Sequence, residues 1–248
     1  MKLVLSIVNF CKLDYNRGMN DFFRILIICL AAIPIGIFLG CGAVYVFNRI
    51  PAGWLTDYGE TPSPELSDQS HQRIPGMPWK YVLSAIFAGL IIYFCTIELG
   101  YGASAVLIIW LLLMIGLADA KYMIIPDQFV IFLLLLAGPM SLYKANFRDM
   151  LYGALLGGGI MVLIAAIGFI LTRKMAIGGG DIKLMAAVGA ICGLYGTSMV
   201  LAGGSVLAGA YATFGLVSGK LKKGDELPLG PFLCIAAAVW LFFAVAIF

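Results

Sequence analysis

Residues 105–140 read AVLIIWLLLMIGLADAKYMIIPDQFVIFLLLLAGPM, two apolar runs joined by a short segment that carries Asp119, Lys121 and Asp127. A helix crosses the hydrocarbon layer with about 20 apolar residues, within a range of roughly 17 to 25. Each run approaches that length, and together they read as two antiparallel membrane helices with charge confined to the turn. Outward from this stretch the pattern repeats. Candidate spans are 23–48, 81–97, 102–118, 125–143, 151–171, 182–196, 199–217 and 229–248. The weakest division lies between Lys183 and Lys220, where Gly193, Gly196 and Thr197 mark the expected turn.

The composition agrees. The 248 residues are 62% hydrophobic and only 12% charged, with a mean hydropathy of +1.02. Soluble domains carry roughly 25% charged residues. A chain with half that share cannot cover a water-facing surface, so the expected fold class is all-α, a polytopic integral membrane protein of about eight transmembrane helices. A soluble enzyme, a disordered chain and a disulfide scaffold are excluded. The net charge of +3 is too small and scattered to imply nucleic acid; the implied medium is a lipid bilayer.

Four regions follow. Residues 1–22 read as an N-terminal interfacial segment, 23–48 as the first transmembrane helix, 49–80 as a short polar loop and 81–248 as a membrane core. Cysteines at 11, 29, 41, 95, 192 and 234 form no C-x-x-C pair, and His71 is the lone histidine, expected to be solvated. Zinc needs several such ligands at set spacings, so no metal and no cofactor are expected. Gly36/Gly40, Gly153/Gly157, Gly189/Gly193 and Gly215/Gly219 have the four-residue spacing that lets helices approach closely in lipid.

Lysine and arginine are retained on the cytoplasmic side. With eight spans, the odd-numbered loops hold Arg49, Arg73, Lys80, Lys121, Arg173, Lys174, Lys183, Lys220, Lys222 and Lys223, and the opposite face holds Lys2, Lys12, Arg17, Arg24, Lys144 and Arg148. The ten-to-six division places the odd loops in the cytoplasm.

An acid at the end of a hydrophobic span is costly enough to need a reason. Glu98 reads as an interfacial end residue. Asp119 and Asp181 are separated by two whole spans, 125–143 and 151–171, so both return to one membrane face at similar depth. Two carboxyl groups brought together would share one proton. The ionised member could take a proton from water attacking a peptide carbonyl while the protonated member donates to the carbonyl oxygen. A proton relay is the other use of such a pair. Gly178, Gly179 and Gly180 directly precede Asp181, where they would permit positive φ and close approach of chain to substrate. Pro126 and Asp127 read as a helix start favoured by the dipole. Lys183, two positions beyond Asp181, is expected to point away and snorkel toward head groups. Trp79, Trp110 and Tyr122 read as interface or packing aromatics.

These residues resemble a known family. Gly178-Gly179-Gly180-Asp181 matches the G-x-G-D signature of intramembrane aspartyl proteases, and GGGDIK through Lys183 is similar to the type IV prepilin peptidase form. Asp119-Ala-Lys-Tyr-Met-Ile-Ile-Pro126-Asp127 is similar to that family's first aspartate segment. Gly36-Ile37-Phe38-Leu39 through Arg49-Ile50-Pro51 resembles its G-S-F-L-N…Y-R-x-P segment, with Ile37 and Gly40 in place of Ser and Asn. Leu227–Leu233, LPLGPFL, resembles its F-G-P-F-L stretch. The resemblance implies an aspartyl endopeptidase of the cytoplasmic membrane that removes the basic leader of type IV prepilin or pseudopilin precursors, with Asp119 and Asp181 as the catalytic pair and Gly178, Gly180, Lys183, Pro126 and Asp127 in support. Many family members also methylate the new N-terminus and carry paired C-x-x-C motifs in the first loop. Residues 49–80 hold no cysteine, so zinc binding is not expected and methylation is expected to be reduced or absent. A presenilin-like protease is a poorer match, since Ala118 rather than tyrosine precedes Asp119 and no P-A-L follows Asp181. A proton-coupled transporter would favour acids near mid-span and two repeated halves, neither of which is evident.

Overall fold

A computed structural model describes residues 2–56, 61, 66, 72–144, 147–173, 178–222 and 227–244; the side chains of 2–21, 143, 144 and 172 are left aside. His71 lies outside the described residues. The described chain forms α1 (Lys2–Arg49), a 3-10 turn (Ala52–Trp54), α2 (Trp79–Ile97), α3 (Leu99–Tyr122), α4 (Asp127–Lys144), α5 (Phe147–Thr172), α6 (Gly179–Val217) and α7 (Gly230–Ala244). Among the described residues, five helical stretches are long and apolar enough to cross a membrane: Phe22–Arg49, Trp79–Ile97, Leu99–Tyr122, Phe147–Leu171 and Gly179–Val217. Helices α4 and α7 are apolar but shorter. The fold is all-α and polytopic.

Helix α6 is not one rod. At Gly193 φ is 72° and ψ is −179°, outside the helical region, and the neighbours on α5 show what the break does. Gly153 abuts Gly189 and Gly193, and one turn later Gly157 abuts Met185 and Thr197. Advancing along α5 therefore retraces 189 to 185 and advances 193 to 197 together. Residues 179–192, here α6a, run antiparallel to α5, whereas 194–217, α6b, run parallel to it. The chain reverses at one glycine with no intervening loop, so the spans expected at 182–196 and 199–217 correspond to the two arms of this hairpin, with the division at Gly193 and residues 194–196 in the second arm.

The hairpin organises the core. Helix α7 lies antiparallel along α6b, with Gly196 against Trp240 and Gly204 against Leu233. It also packs on α3, and α3 packs on α4, which returns to α6. These elements form a closed circuit, with α3 and α6a at opposite corners. Helix α2 flanks α3, α1 flanks α2, and α5 lies outside on α6. Three of the four glycine pairs serve close approach. The fourth does not: Gly219, at φ 70°, ends α6, with its N–H on the Leu216 carbonyl and the Lys220 N–H on that of Gly215. This is a Schellman end.

The first loop is anchored at both ends. Buried Arg73 donates to the carbonyls of Phe47, Ile50 and Leu66, and so caps the C-terminus of α1. Asn48 and Ile74 exchange two hydrogen bonds at 3.0 and 2.8 Å. Lys121 donates to the Arg73 carbonyl, which ties the loop to the end of α3.

Close approach in α1 yields a paired prediction. A β-carbon at Gly40 would land on the Ser84 backbone of α2, whereas one at Gly42 meets nothing within 4 Å. Gly40→Ala is expected to cost about 1–3 kcal/mol through forced separation, and Gly42→Ala to be neutral or stabilising by up to ~1 kcal/mol from helix propensity. Unfolding midpoints in detergent micelles measure both.

Candidate active site

Asp119 lies in the last turn of α3, which ends at Met123 in a left-handed conformation, its N–H bonded to the Asp119 carbonyl at 2.8 Å. Residues 124–126 lead to α4, where the buried Pro126 supplies the carbonyl that receives the Phe129 and Val130 amides. Asp127 opens α4, as the helix-start reading expects. Asp181 lies in the first turn of α6a. Each carboxyl comes from a helix end, and the circuit of helices brings those ends to one level.

The Asp119 side chain is buried, at 6% exposure. Its Oδ2 accepts the Gly230 backbone N–H at 2.9 Å. That N–H belongs to the first turn of α7, where four amides lack intrahelical partners and the helix dipole is positive. Gly230 is glycine for a steric reason: a β-carbon there would lie 2.6 Å from the same Oδ2. The sequence LPLGPFL marks a Gly-Pro helix start, and its contribution to the site is this amide.

Asp181 is half-buried and lies within electrostatic reach of Asp119. The Asp181 backbone N–H donates to the Gly178 carbonyl at 3.2 Å, and the Asp181 Oδ1 is buried with no hydrogen-bond partner. The Asp119 carboxylate is thus held by a backbone N–H at a helix start, and Asp181 is itself placed at one. The Cys234 thiol is buried beneath them, within electrostatic reach of both. Among the described residues, no group of three or more His, Cys, Asp or Glu side chains is placed to hold a metal ion.

The glycines before Asp181 do not use the left-handed region as expected. Gly178 has φ −68° and ψ 147°, and among the described residues the glycines with positive φ are Gly193 and Gly219. Gly180 is packed closely instead: a β-carbon would lie 3.0 Å from Ile125 Cβ, a tight contact. Gly179 has open space around it.

Lys183 also differs from expectation. Its ammonium lies 3.0 and 2.9 Å from the two Asp127 oxygens. The two-residue offset turns it from Asp181 toward the start of α4, where an acid of opposite charge is closer than the head groups. Lys183 and Asp127 therefore link the first turns of α6a and α4. Trp110 donates to the Leu39 carbonyl at 3.0 Å, a packing role, Tyr122 packs against the core and Trp79 is exposed. Glu98 is exposed at the α2–α3 turn.

Residues 105–213, which hold both aspartates, match the type IV leader peptidase family. The chain is 33% identical over 165 residues to the leader peptidase HopD of Escherichia coli, covering 63% of this chain and 94% of that one. It is 29% identical over 166 residues to a prepilin leader peptidase/N-methyltransferase of Stutzerimonas stutzeri, covering 64% and 57% respectively. A protein of the same description from Bacillus subtilis is 33% identical over 130 residues, covering 51% and 50%. The chain spans about half the length of these two larger relatives. No solved structure matches. With a family match that contains both carboxylates, and nearly all of one relative aligned at a third identity, the chain belongs to the type IV leader peptidase family.

Proposed function

We propose that this protein is a membrane-embedded aspartyl endopeptidase that removes the short basic leader of type IV prepilin-like precursors at the cytoplasmic face of the inner membrane. The observation that carries the reading is that Asp119 and Asp181, from opposite corners of the helix circuit, lie within electrostatic reach of each other, with Asp119 held by the Gly230 amide. That amide fixes the orientation of Asp119 and leaves its Oδ1 for chemistry, as the partnerless Oδ1 of Asp181 is left.

With one proton shared between the acids, the ionised carboxylate accepts a proton from water as the water oxygen attacks the scissile carbonyl carbon. The protonated acid donates to the carbonyl oxygen, giving a neutral tetrahedral gem-diol. Collapse reverses the roles: one acid protonates the departing amine, the C–N bond breaks, and the other recovers the proton released as the carboxyl product forms. Asp119 and Asp181 are the catalytic residues. Gly230 positions Asp119, Gly178 and Gly180 form the turn that leads into Asp181, and Lys183, Asp127 and Pro126 support the neighbouring helix starts. The apolar helix of the precursor rests in the bilayer, so only the leader and scissile bond reach the carboxylates. The charge asymmetry of the loops supports the cytoplasmic orientation. Two of the relatives are described as leader peptidase and N-methyltransferase together. Residues 49–80 here hold no cysteine, which supports a peptidase with little or no methylating activity.

Co-expression with candidate pilin-like precursors, followed by mass determination of the mature N-terminus, tests both halves. Asp119→Asn and Asp181→Asn are each expected to lower cleavage by about 10³-fold or more, on the scale of lost acid–base catalysis, with normal membrane insertion. Asp127→Asn is expected to stay within about tenfold of the parent, because an exposed ion pair contributes at most ~1 kcal/mol. Full cleavage by both Asp119→Asn and Asp181→Asn would remove the assignment. The mature N-terminus is expected at its unmodified mass.

The amide on Asp119 gives a further paired expectation. Gly230→Ala pushes against Oδ2 and should lower kcat by about 10²-fold, the scale of a 1 Å misplacement. Gly116→Ala, whose β-carbon would sit 3.5 Å from Cys234 Cβ, should leave kcat within about threefold, because an ordinary contact needs no such shift. Steady-state cleavage of a purified precursor in detergent compares the two.

A further inference from the structure

The reversal at Gly193 is built around a side chain the proposed chemistry does not use. Asp149, in the first turn of α5, accepts the Leu194 backbone N–H through Oδ1 at 3.1 Å. A β-carbon at Gly193 would collide with the same carboxylate, and its φ of 72° would strain any L side chain. The Thr197 hydroxyl donates to the Gly193 carbonyl at 2.6 Å. An acid on one helix thus caps the start of α6b at the point where α6a ends.

The two arms that leave this point carry different halves of the site. Arm α6a carries Asp181 in its first turn, at the end away from the reversal, and α6b is the surface on which α7 lies, with Gly204 against Leu233 and Gly203 against Ala236. Helix α7 presents Gly230 to Asp119. The angle between the arms therefore sets where one carboxylate stands relative to the other. Twelve residues separate Gly193 from Asp181, about 18 Å at 1.5 Å per residue. A change of about 5° in that angle displaces Asp181 by roughly 1.5 Å, enough on the ~10²-fold-per-ångström scale to disable catalysis.

We infer that Asp149 is a positioning residue for the peptidase reaction, acting from the opposite end of the helix hairpin by fixing the angle between α6a and α6b. The inference rests on the protease reading. It does not involve contact with substrate, so its signature is a loss of kcat at unchanged KM.

The test uses the full chain in detergent or nanodiscs with a purified pilin-like precursor. Asp149→Ala is expected to lower kcat at least tenfold with KM within twofold, and Asp149→Asn, which keeps an acceptor oxygen, to recover to within threefold of the parent. Leu194→Pro deletes the donated N–H at a helix start, where proline is tolerated. It should reproduce the Asp149→Ala loss, and the double variant should show no further loss. The role is overturned if Asp149→Ala cleaves like the parent, if Asp149→Asn is no better than Asp149→Ala, if the loss falls on KM, or if the two single losses multiply in the double variant. Amide hydrogen exchange over residues 190–197 gives a readout independent of cleavage: it should rise in Asp149→Ala and return in Asp149→Asn, and unchanged exchange in Asp149→Ala would overturn the clasp itself. If the unaltered protein fails to cleave any precursor, the protease reading falls while the exchange result still decides the clasp.

Discussion

A carboxylate buried among apolar helices has no water to lean on, so the protein must supply its hydrogen-bond donors. Leaving such a charge unpaired costs several kcal/mol. At Asp119 the donor is the first-turn amide of α7, and the requirement reaches well beyond one hydrogen bond. It demands glycine at 230, because any β-carbon would occupy the oxygen's place. It draws α7 against α3 closely enough for Gly116 to face Cys234. The far end of α7 is fixed in a complementary way: the hydroxyls of Tyr93 and Tyr101 donate to the carbonyls of Phe242 and Leu241. The start of this short helix is thereby bonded to α3 and its far end to α2 and α3, so the amide that orients Asp119 is part of a bar fastened at both ends.

The other organising constraint is close packing without a hydrophobic driving force. Lipid tails are as apolar as leucine, so helices associate through dispersion contacts that require near approach. Gly153, Gly157 and Gly189 let α5 touch the backbone of α6, and Gly36 and Gly40 do the same for α1 on α2. Where backbones meet this closely, register is fixed to a single residue. That precision is what a two-carboxylate site needs, since its halves lie on helices that share little direct packing.

Much of this was legible in the amino-acid order. The apolar runs give the helices, and the parity of crossings between Asp119 and Asp181 puts both acids at one face without any knowledge of packing. Gly193 was among the residues marking the turn. What stayed hidden depends on three-dimensional proximity. Nothing in the spacing says that α6 reverses at one residue rather than through a loop, because the acid that bonds to the reversal, Asp149, lies 45 positions before its partner Leu194. The glycines before Asp181 suggested left-handed backbone, but the steric demand at Gly180 comes from Ile125 on another helix. Lys183 looked like a membrane anchor because its partner, Asp127, is 56 residues distant in sequence. Gly215 and Gly219 share the spacing of the packing glycines yet terminate a helix, a distinction periodicity cannot make.

The anchoring of the first loop has a consequence for how this architecture can be elaborated. Asn48 with Ile74, and Arg73 with the carbonyls of Phe47 and Ile50, fasten the two feet of the excursion to each other before the chain re-enters the bilayer. The entropy of closing a loop grows only logarithmically with its length, about 0.6 kcal/mol for each doubling. A module of almost any size could therefore be spliced between those feet at small thermodynamic penalty and without disturbing the intramembrane scaffold, which makes this position a natural port for acquiring or discarding a second activity.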